Sequence, residues 1–297
     1  MTRLQSNVTD VALIFEGGGM RAAYTSAVVA EMLAQGIFID YTAGISAGSS
    51  NTVNYLARDP FRARRSFVEI AADHRFGDVS TWLRGQGVFN AHWIYQQTSG
   101  PGQALPLDFA RFMENPAQMR VGAFRADDGE MVWFSKADLR EPADLQTRVQ
   151  ASSTMPMLMP PVRIGEHTYV DGALGPSGGI ALDVAKADGY TRFLAVLTQP
   201  RAYSKGPIRF PAAYRRFFRA FPAVAEALIT RHQRYNETRE ELLQLEAEGR
   251  AILFCPTTMP ISNGERSIPK LAAAHALGRA QARVEVPGWK DWLGLAT

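Results

Sequence analysis

The chain has a single cysteine, Cys255, among its 297 residues, so it cannot close an intrachain disulfide. No apolar run approaches the ~20 residues that a membrane-spanning helix needs. The opening Met1-Thr2-Arg3-Leu4-Gln5-Ser6-Asn7 lacks the apolar core of a secretory signal. Internal repeats and low-complexity tracts are missing too, which removes solenoids and long linkers. The five histidines are scattered and give no zinc-ligand spacing, so no metal is expected. A net charge of +3, without a recognisable nucleic-acid module, does not call for DNA or RNA. The expected address is cytoplasmic.

What is present is enough apolar material, 46% of the residues, for one large α/β domain over 1–297. Strand signals fall at 11–15, 37–44, 119–125, 130–135, 162–170, 192–198 and 251–255. Helical signals fill 22–35, 47–57, 61–73, 140–151, 178–188, 222–248 and 268–284. The alternation implies a three-layer α/β/α sandwich around a mostly parallel central sheet. Its core motifs lie within 10–200, and a helical C-terminal region, 205–297, packs on it.

Two glycine knots stand at strand ends. Gly44-Ile45-Ser46-Ala47-Gly48 follows Tyr41-Thr42-Ala43, and its glycines would let a strand turn sharply into a helix with the Ser46 hydroxyl exposed. Such a pentapeptide arises by chance in about one chain in ten of this length, so alone it says little. The second knot, Gly17-Gly18-Gly19-Met20-Arg21, ends the apolar Val11–Phe15 and opens a helical stretch. Backbone amides there, above all those of Gly18 and Gly19, could hold an oxyanion at the positive end of a helix dipole, each worth roughly 3 kcal/mol. Arg21 adds a cation.

A serine nucleophile needs a base. His232 lies in a charged helical stretch, His275 in an alanine-rich one, and His74, His92 and His167 lack a partner pattern. Asp171 ends a strand and is followed by Gly172-Ala173-Leu174-Gly175-Pro176, which forces a loop. A carboxylate with an ordinary pKa near ~3.9 can serve once burial raises it.

Together, Glu16-Gly17-Gly18-Gly19-Met20-Arg21, Gly44-Ile45-Ser46-Ala47-Gly48 and Asp171-Gly172-Ala173 resemble the patatin-like phospholipases, most of all the bacterial ones. Ala151-Ser152-Ser153, followed by Pro156 and Pro160-Pro161-Val162, echoes a stretch that this family carries before its aspartate. The resemblance implies a Ser46–Asp171 dyad, an oxyanion hole in Gly17–Arg21, an acyl-enzyme intermediate, lipid esters as substrates and no cofactor. Three positions depart from the common pattern: Glu16 replaces aspartate, Ala22 replaces glycine, and Ala173 replaces a second glycine after Asp171.

Two other readings compete. Gly17–Ala22 also fits the GxGxxA dinucleotide fingerprint, with Asp40 about ~20 residues on, but Tyr41-Thr42-Ala43 then runs straight into the Ser46 turn, so Asp40 is expected to precede its strand. A catalytically silent lipid binder would keep the fold yet leave Ser46 and Asp171 unused.

Two stretches bear on substrate access. Residues 77–106, with Trp82, Phe89, Trp93 and Tyr95, form either a cap over Ser46 or an ordinary surface excursion. Residues 209–221 interleave four arginines with five aromatics. They would rest on an anionic lipid surface as a peripheral contact, or pack as an amphipathic helix with its rings on the core, which is the expectation here.

Overall fold

In Val8–Phe15 (β1) the apolar run continues through both side-chain parities, the mark of a strand covered on two faces. Val11, Leu13 and Phe15 enter one core cluster, and Ala12 and Ile14 enter the other. The computed structural model describes residues 4–77, 81, 85 and 87–295. Its strands after β1 are Ile39–Ile45 (β2), Gln118–Arg125 (β3), Met131–Phe134 (β4), Val162–Ile164 (β5), His167–Asp171 (β6), Phe193–Val196 (β7) and Ala251–Phe254 (β8). The sheet runs β5-β6-β3-β2-β1-β7-β8, with β4 also on β3. Neighbours from β3 to β8 along that order are parallel, and β4, β5 and β6 pair antiparallel.

Helices close both faces. Ala22–Ala34 (α1), Ala47–Leu56 (α2) and Ile268–Trp292 (α10, the last helix described) share the cluster of Leu13 and Phe15. Leu182–Ala187 (α7) and Pro222–Ala247 (α9) cover Ile14 and Ala43 on the other side. The other α-helices given bounds among the described residues are Pro60–Arg65 (α3), Ala91–Gln96 (α4), Phe109–Glu114 (α5), Pro142–Ser153 (α6) and Pro211–Phe217 (α8). Among the described residues no helix is long and apolar enough to cross a membrane.

Several expected elements change shape. The stretch 162–170 does not, being the turn between two short strands that its sequence predicts, with β5 and β6 joined at Gly165, φ +61. The helix expected at 178–188 shrinks to α7, because Gly178 and Gly179, at φ +65 and +123, hold left-handed backbone that a helix cannot use. That expected at 61–73 stops at Arg65. The last helix, in contrast, runs past 284 through Pro287 to Trp292, since Val286 and Trp289 dock in the core on either side of the proline. Asp40 lies inside β2 as its second residue, not before it.

The register explains how β2 and β6 meet. β3 spends one edge on β4 at Val121–Phe124. Its other edge therefore serves β2 as far as Ile45 opposite Gly122, and β6 from Asp171 opposite Ala123. The ends of β2 and β6 therefore abut at consecutive positions of one neighbour, and Ser46, which follows Ile45, meets Asp171, 125 residues further along the chain.

Gly278 of α10 sits where an added Cβ would overlap the Tyr24 carbonyl of α1. Helix propensity alone makes Gly→Ala stabilising by about 1 kcal/mol. Here Gly278→Ala is expected to destabilise by about 1–3 kcal/mol, because the close helix crossing is overpacked. Urea denaturation reads the sign directly.

Candidate active site

Ser46 is the residue between β2 and α2, and its backbone, φ 56 and ψ −129, lies where a side chain is strained. The strain is held from three sides. The Ser46 N–H donates to Ser152 Oγ at 2.9 Å, and Ser49 donates its N–H and hydroxyl to the Ser46 carbonyl at 2.9 and 2.6 Å. Gly44 and Gly48 allow the turn to close, since a Cβ at Gly44 would overlap the Gly48 carbonyl and one at Gly48 the Phe15 carbonyl. Ile45 and Ala47 are buried on either side of the serine.

Ser46 Oγ donates to Asp171 Oδ2 at 2.7 Å, with both residues almost wholly buried. The other carboxylate oxygen, Oδ1, accepts the Ala173 N–H at 2.8 Å, and the Asp171 N–H donates to the Thr154 carbonyl at 2.8 Å. Gly172 is required by the close approach, because a Cβ there would overlap the Gly122 carbonyl. The C-terminal end of α6 thus holds both residues: Ser152 fixes Ser46 while also donating to Gly122 O at 2.6 Å, and Thr154 fixes Asp171. Sequence reading quoted Ser152 as a landmark and gave it no role.

Burial pushes the Asp171 carboxyl above the usual carboxylate range, against the opposing pull of the Ala173 N–H, the Ser46 hydroxyl and the Arg231 cation. A carboxylate so raised is a better acceptor for an alcohol proton. Arg231 belongs to α9 and was not read from sequence. Its Nε donates to the carbonyls of Ala173 and Gly178, both at 3.0 Å, while Arg234, one turn on, donates to Gly175 O and Leu174 O at 3.1 and 3.0 Å. Two guanidinium groups therefore clasp the loop after Asp171.

The glycine-rich loop lies against the same serine, where a Cβ on Gly17 would come to 3.0 Å from Ser46 Cβ. Its amides are unequally available. Gly17 N–H donates to Gly179 O at 3.1 Å, Met20 N–H to Asn263 O at 2.9 Å and Arg21 N–H to Gly18 O at 3.2 Å. Gly18 and Gly19 donate to nothing among the described residues. Arg21 Nε is buried and also lacks a partner among them. Glu16, beneath the loop, accepts the Thr198 N–H at 2.6 Å and the Tyr235 hydroxyl at 2.8 Å.

A narrow cavity opens on Ser46 and Gly19 and is lined chiefly by apolar side chains such as Met20, Val53, Phe67, Ile70, Phe89 and Val149. Ser46, Ser50 and Val53 line it at successive turns of α2, so it extends roughly 10 Å along that helix. Arg62, bonded to Asn54, Ser99 and Leu105, stands in its wall. From the stretch 77–106, Phe89, Tyr95 and Leu105 line the cavity and Trp93 packs in the cluster beside it, while Trp82 lies outside the described residues. No histidine lines it: His275 bonds to Ala23 O and Ser26, His232 to Ile229 O, and His167 pairs with Asp127. Among the described residues no cluster of three His, Cys, Asp or Glu could hold a metal.

Comparison with known proteins agrees on the region. The family model described as patatin-like phospholipase matches residues 13–181, and one described as a domain of unknown function (DUF6363) matches 221–294. The uncharacterized protein YjjU of Escherichia coli strain K12 is 27% identical over 195 residues, 64% of this chain and 52% of that protein. This chain thus aligns with about half the length of that relative. The crystal structure of VipD from Legionella pneumophila aligns with 93% of this chain and 66% of its own at 13% identity, with a TM-score of 0.47.

A buried carboxyl whose folded pKa is raised contributes its stability in full below the unfolded pKa, and loses it as pH rises through the folded value. Asp171→Asn, neutral and of the same shape, is therefore expected to be more stable than the wild type at pH 7. The gap should close toward pH ~4, near the unfolded carboxyl pKa. Urea midpoints at the two pH values test this.

Proposed function

The chain belongs to the patatin-like phospholipase family, and from that membership we propose that it is a serine hydrolase of lipid carboxylic esters, with Ser46 as nucleophile and Asp171 as its base. The observation that carries the assignment is the 2.7 Å hydrogen bond from Ser46 Oγ to a buried, pKa-raised carboxylate at the mouth of an apolar cavity.

In this reading Ser46 Oγ attacks the ester carbonyl as its proton passes to Asp171 Oδ2. The amides of Gly18 and Gly19 receive the charge that develops on the carbonyl oxygen. Collapse of the tetrahedral intermediate breaks the ester bond, and the proton held by Asp171 leaves with the alcohol. A water molecule then gives its proton to the same carboxylate and attacks the acyl-enzyme, releasing the fatty acid and restoring Ser46. The strained Ser46 backbone keeps the hydroxyl presented throughout. The acyl chain lies in the cavity beside α2.

The dinucleotide reading is not favoured, since the family match covers the same glycine loop and Asp40 is inside β2. A silent lipid binder would have no use for the paired Ser46 and Asp171.

A p-nitrophenyl ester series from acetate to palmitate tests the assignment. Activity should rise with chain length as the cavity fills, and Ser46→Ala or Asp171→Asn should lower kcat by about 10³-fold or more. Unchanged turnover in both variants would eliminate the dyad. Arg231→Gln removes a cation that lowers the Asp171 pKa. The acidic limb of kcat/KM should then move to higher pH, with less movement for Arg231→Lys.

A further inference from the structure

The stretch 209–221 does not follow the expectation that its rings pack on the core. Phe218 and Phe221 do turn inward, against the cluster of Val170 and Val224. Phe210 and Phe217, however, remain 70% and 63% exposed, and α8 buries no residue at all. Across a groove from Phe217 stands Met157, 52% exposed and held at φ 70, a left-handed conformation that methionine rarely adopts. Half of the large exposed apolar side chains of the described residues thus sit around one groove or at the helix beside it.

Among the described residues the groove is lined by no charged side chain, its walls being residues such as Pro156, Leu158, Pro160, Phe217 and Phe221. Its flank is strongly basic. Residues 209–221 contain four arginines and no acid. Arg215 pairs with Glu226 at 2.6 Å, whereas Arg209, Arg216 and Arg219 are exposed and have no acidic partner among the described residues. Met159 lines both this groove and the Ser46 cavity.

We propose that the groove between residues 156–161 and α8, with its arginine flank, is the surface by which this protein rests on an anionic lipid bilayer, lipid reaching the Ser46 cavity past Met159. Phe210, Phe217 and Met157 enter the interface, where large apolar side chains are favoured, and the unpaired guanidinium groups meet headgroup phosphates. Each such arginine strengthens binding to an anionic surface about fivefold. A second copy fits less well, because a two-fold contact on this face would set arginines against arginines. The passage of lipid to Ser46 rests on the hydrolase reading above, and the docking surface does not.

Flotation of the full-length Ser46→Ala protein with vesicles of phosphatidylcholine, alone or with one third phosphatidylglycerol, provides the test. Binding should be at least about tenfold stronger to the anionic vesicles, and about tenfold weaker again for Phe217→Ser with Met157→Asn or for Arg216→Glu with Arg219→Glu. Unfolding midpoints equal to the wild type show that these variants are folded. Equal binding by all proteins, or no binding to the anionic vesicles, overturns the proposal, as does a concentration-dependent dimer that Phe217→Ser abolishes without any vesicle binding. Because flotation needs no turnover, an inert protein that floats would refute only the hydrolase reading, and an active one that does not float only the docking.

Discussion

The site depends on one hydrogen bond, between an alcohol and a carboxylate that are both almost wholly buried. In water such a contact competes with solvent and contributes little. Inside the fold, with Ser46 and Asp171 both buried, the carboxylate has few partners besides the Ser46 hydroxyl and the Ala173 amide. That scarcity raises its proton affinity. Much of the surrounding architecture maintains this condition: the shared edge of β3 brings the two strand ends together, and the end of α6 fixes both backbones.

The region matched as a domain of unknown function is built into the same core. Helix α9 contributes Tyr235 to Glu16 beneath the glycine loop and two arginines to four carbonyls behind Asp171. Asn263, outside the patatin-like match, accepts the Met20 amide, and helix α10 crosses α1 at the Gly278 contact. Residues after 181 therefore buttress the loops on both sides of Ser46. The carbonyl groups of the loop after Asp171 are satisfied by charge-assisted bonds from guanidinium donors, which fix its course.

Much of this was legible because glycine speaks locally. The turns at Gly17–Gly19, Gly44–Gly48 and Asp171–Gly172 announce strand ends, and strand ends at one edge of an α/β sheet are where ligands gather. Asp171 stands out as a candidate base from its strand-end loop, and the family resemblance pairs it with Ser46, but no local pattern encodes which strand ends abut. The β3 register decides that, and register follows from pairings far apart in sequence. The Ser152 and Thr154 bracket and the Arg231 and Arg234 clasp were invisible for the same reason. Element boundaries failed where local rules were outvoted: Gly178 and Gly179 adopt left-handed backbone inside an apparent helix, and Pro287 is carried through by the burial of Val286 and Trp289. The exposed Phe210 and Phe217 could not be told from packed rings, since composition alone does not reveal which side of a short helix finds a neighbour.

The proposed activation of Ser46 by Asp171 is tested most directly by a fluorophosphonate probe, followed by peptide mass mapping of the wild type and Asp171→Asn. The account predicts one phosphonyl adduct, on the peptide carrying Ser46, forming far more slowly when the carboxylate is replaced. An unmodified Ser46, or labelling at the same rate in both proteins, would contradict it.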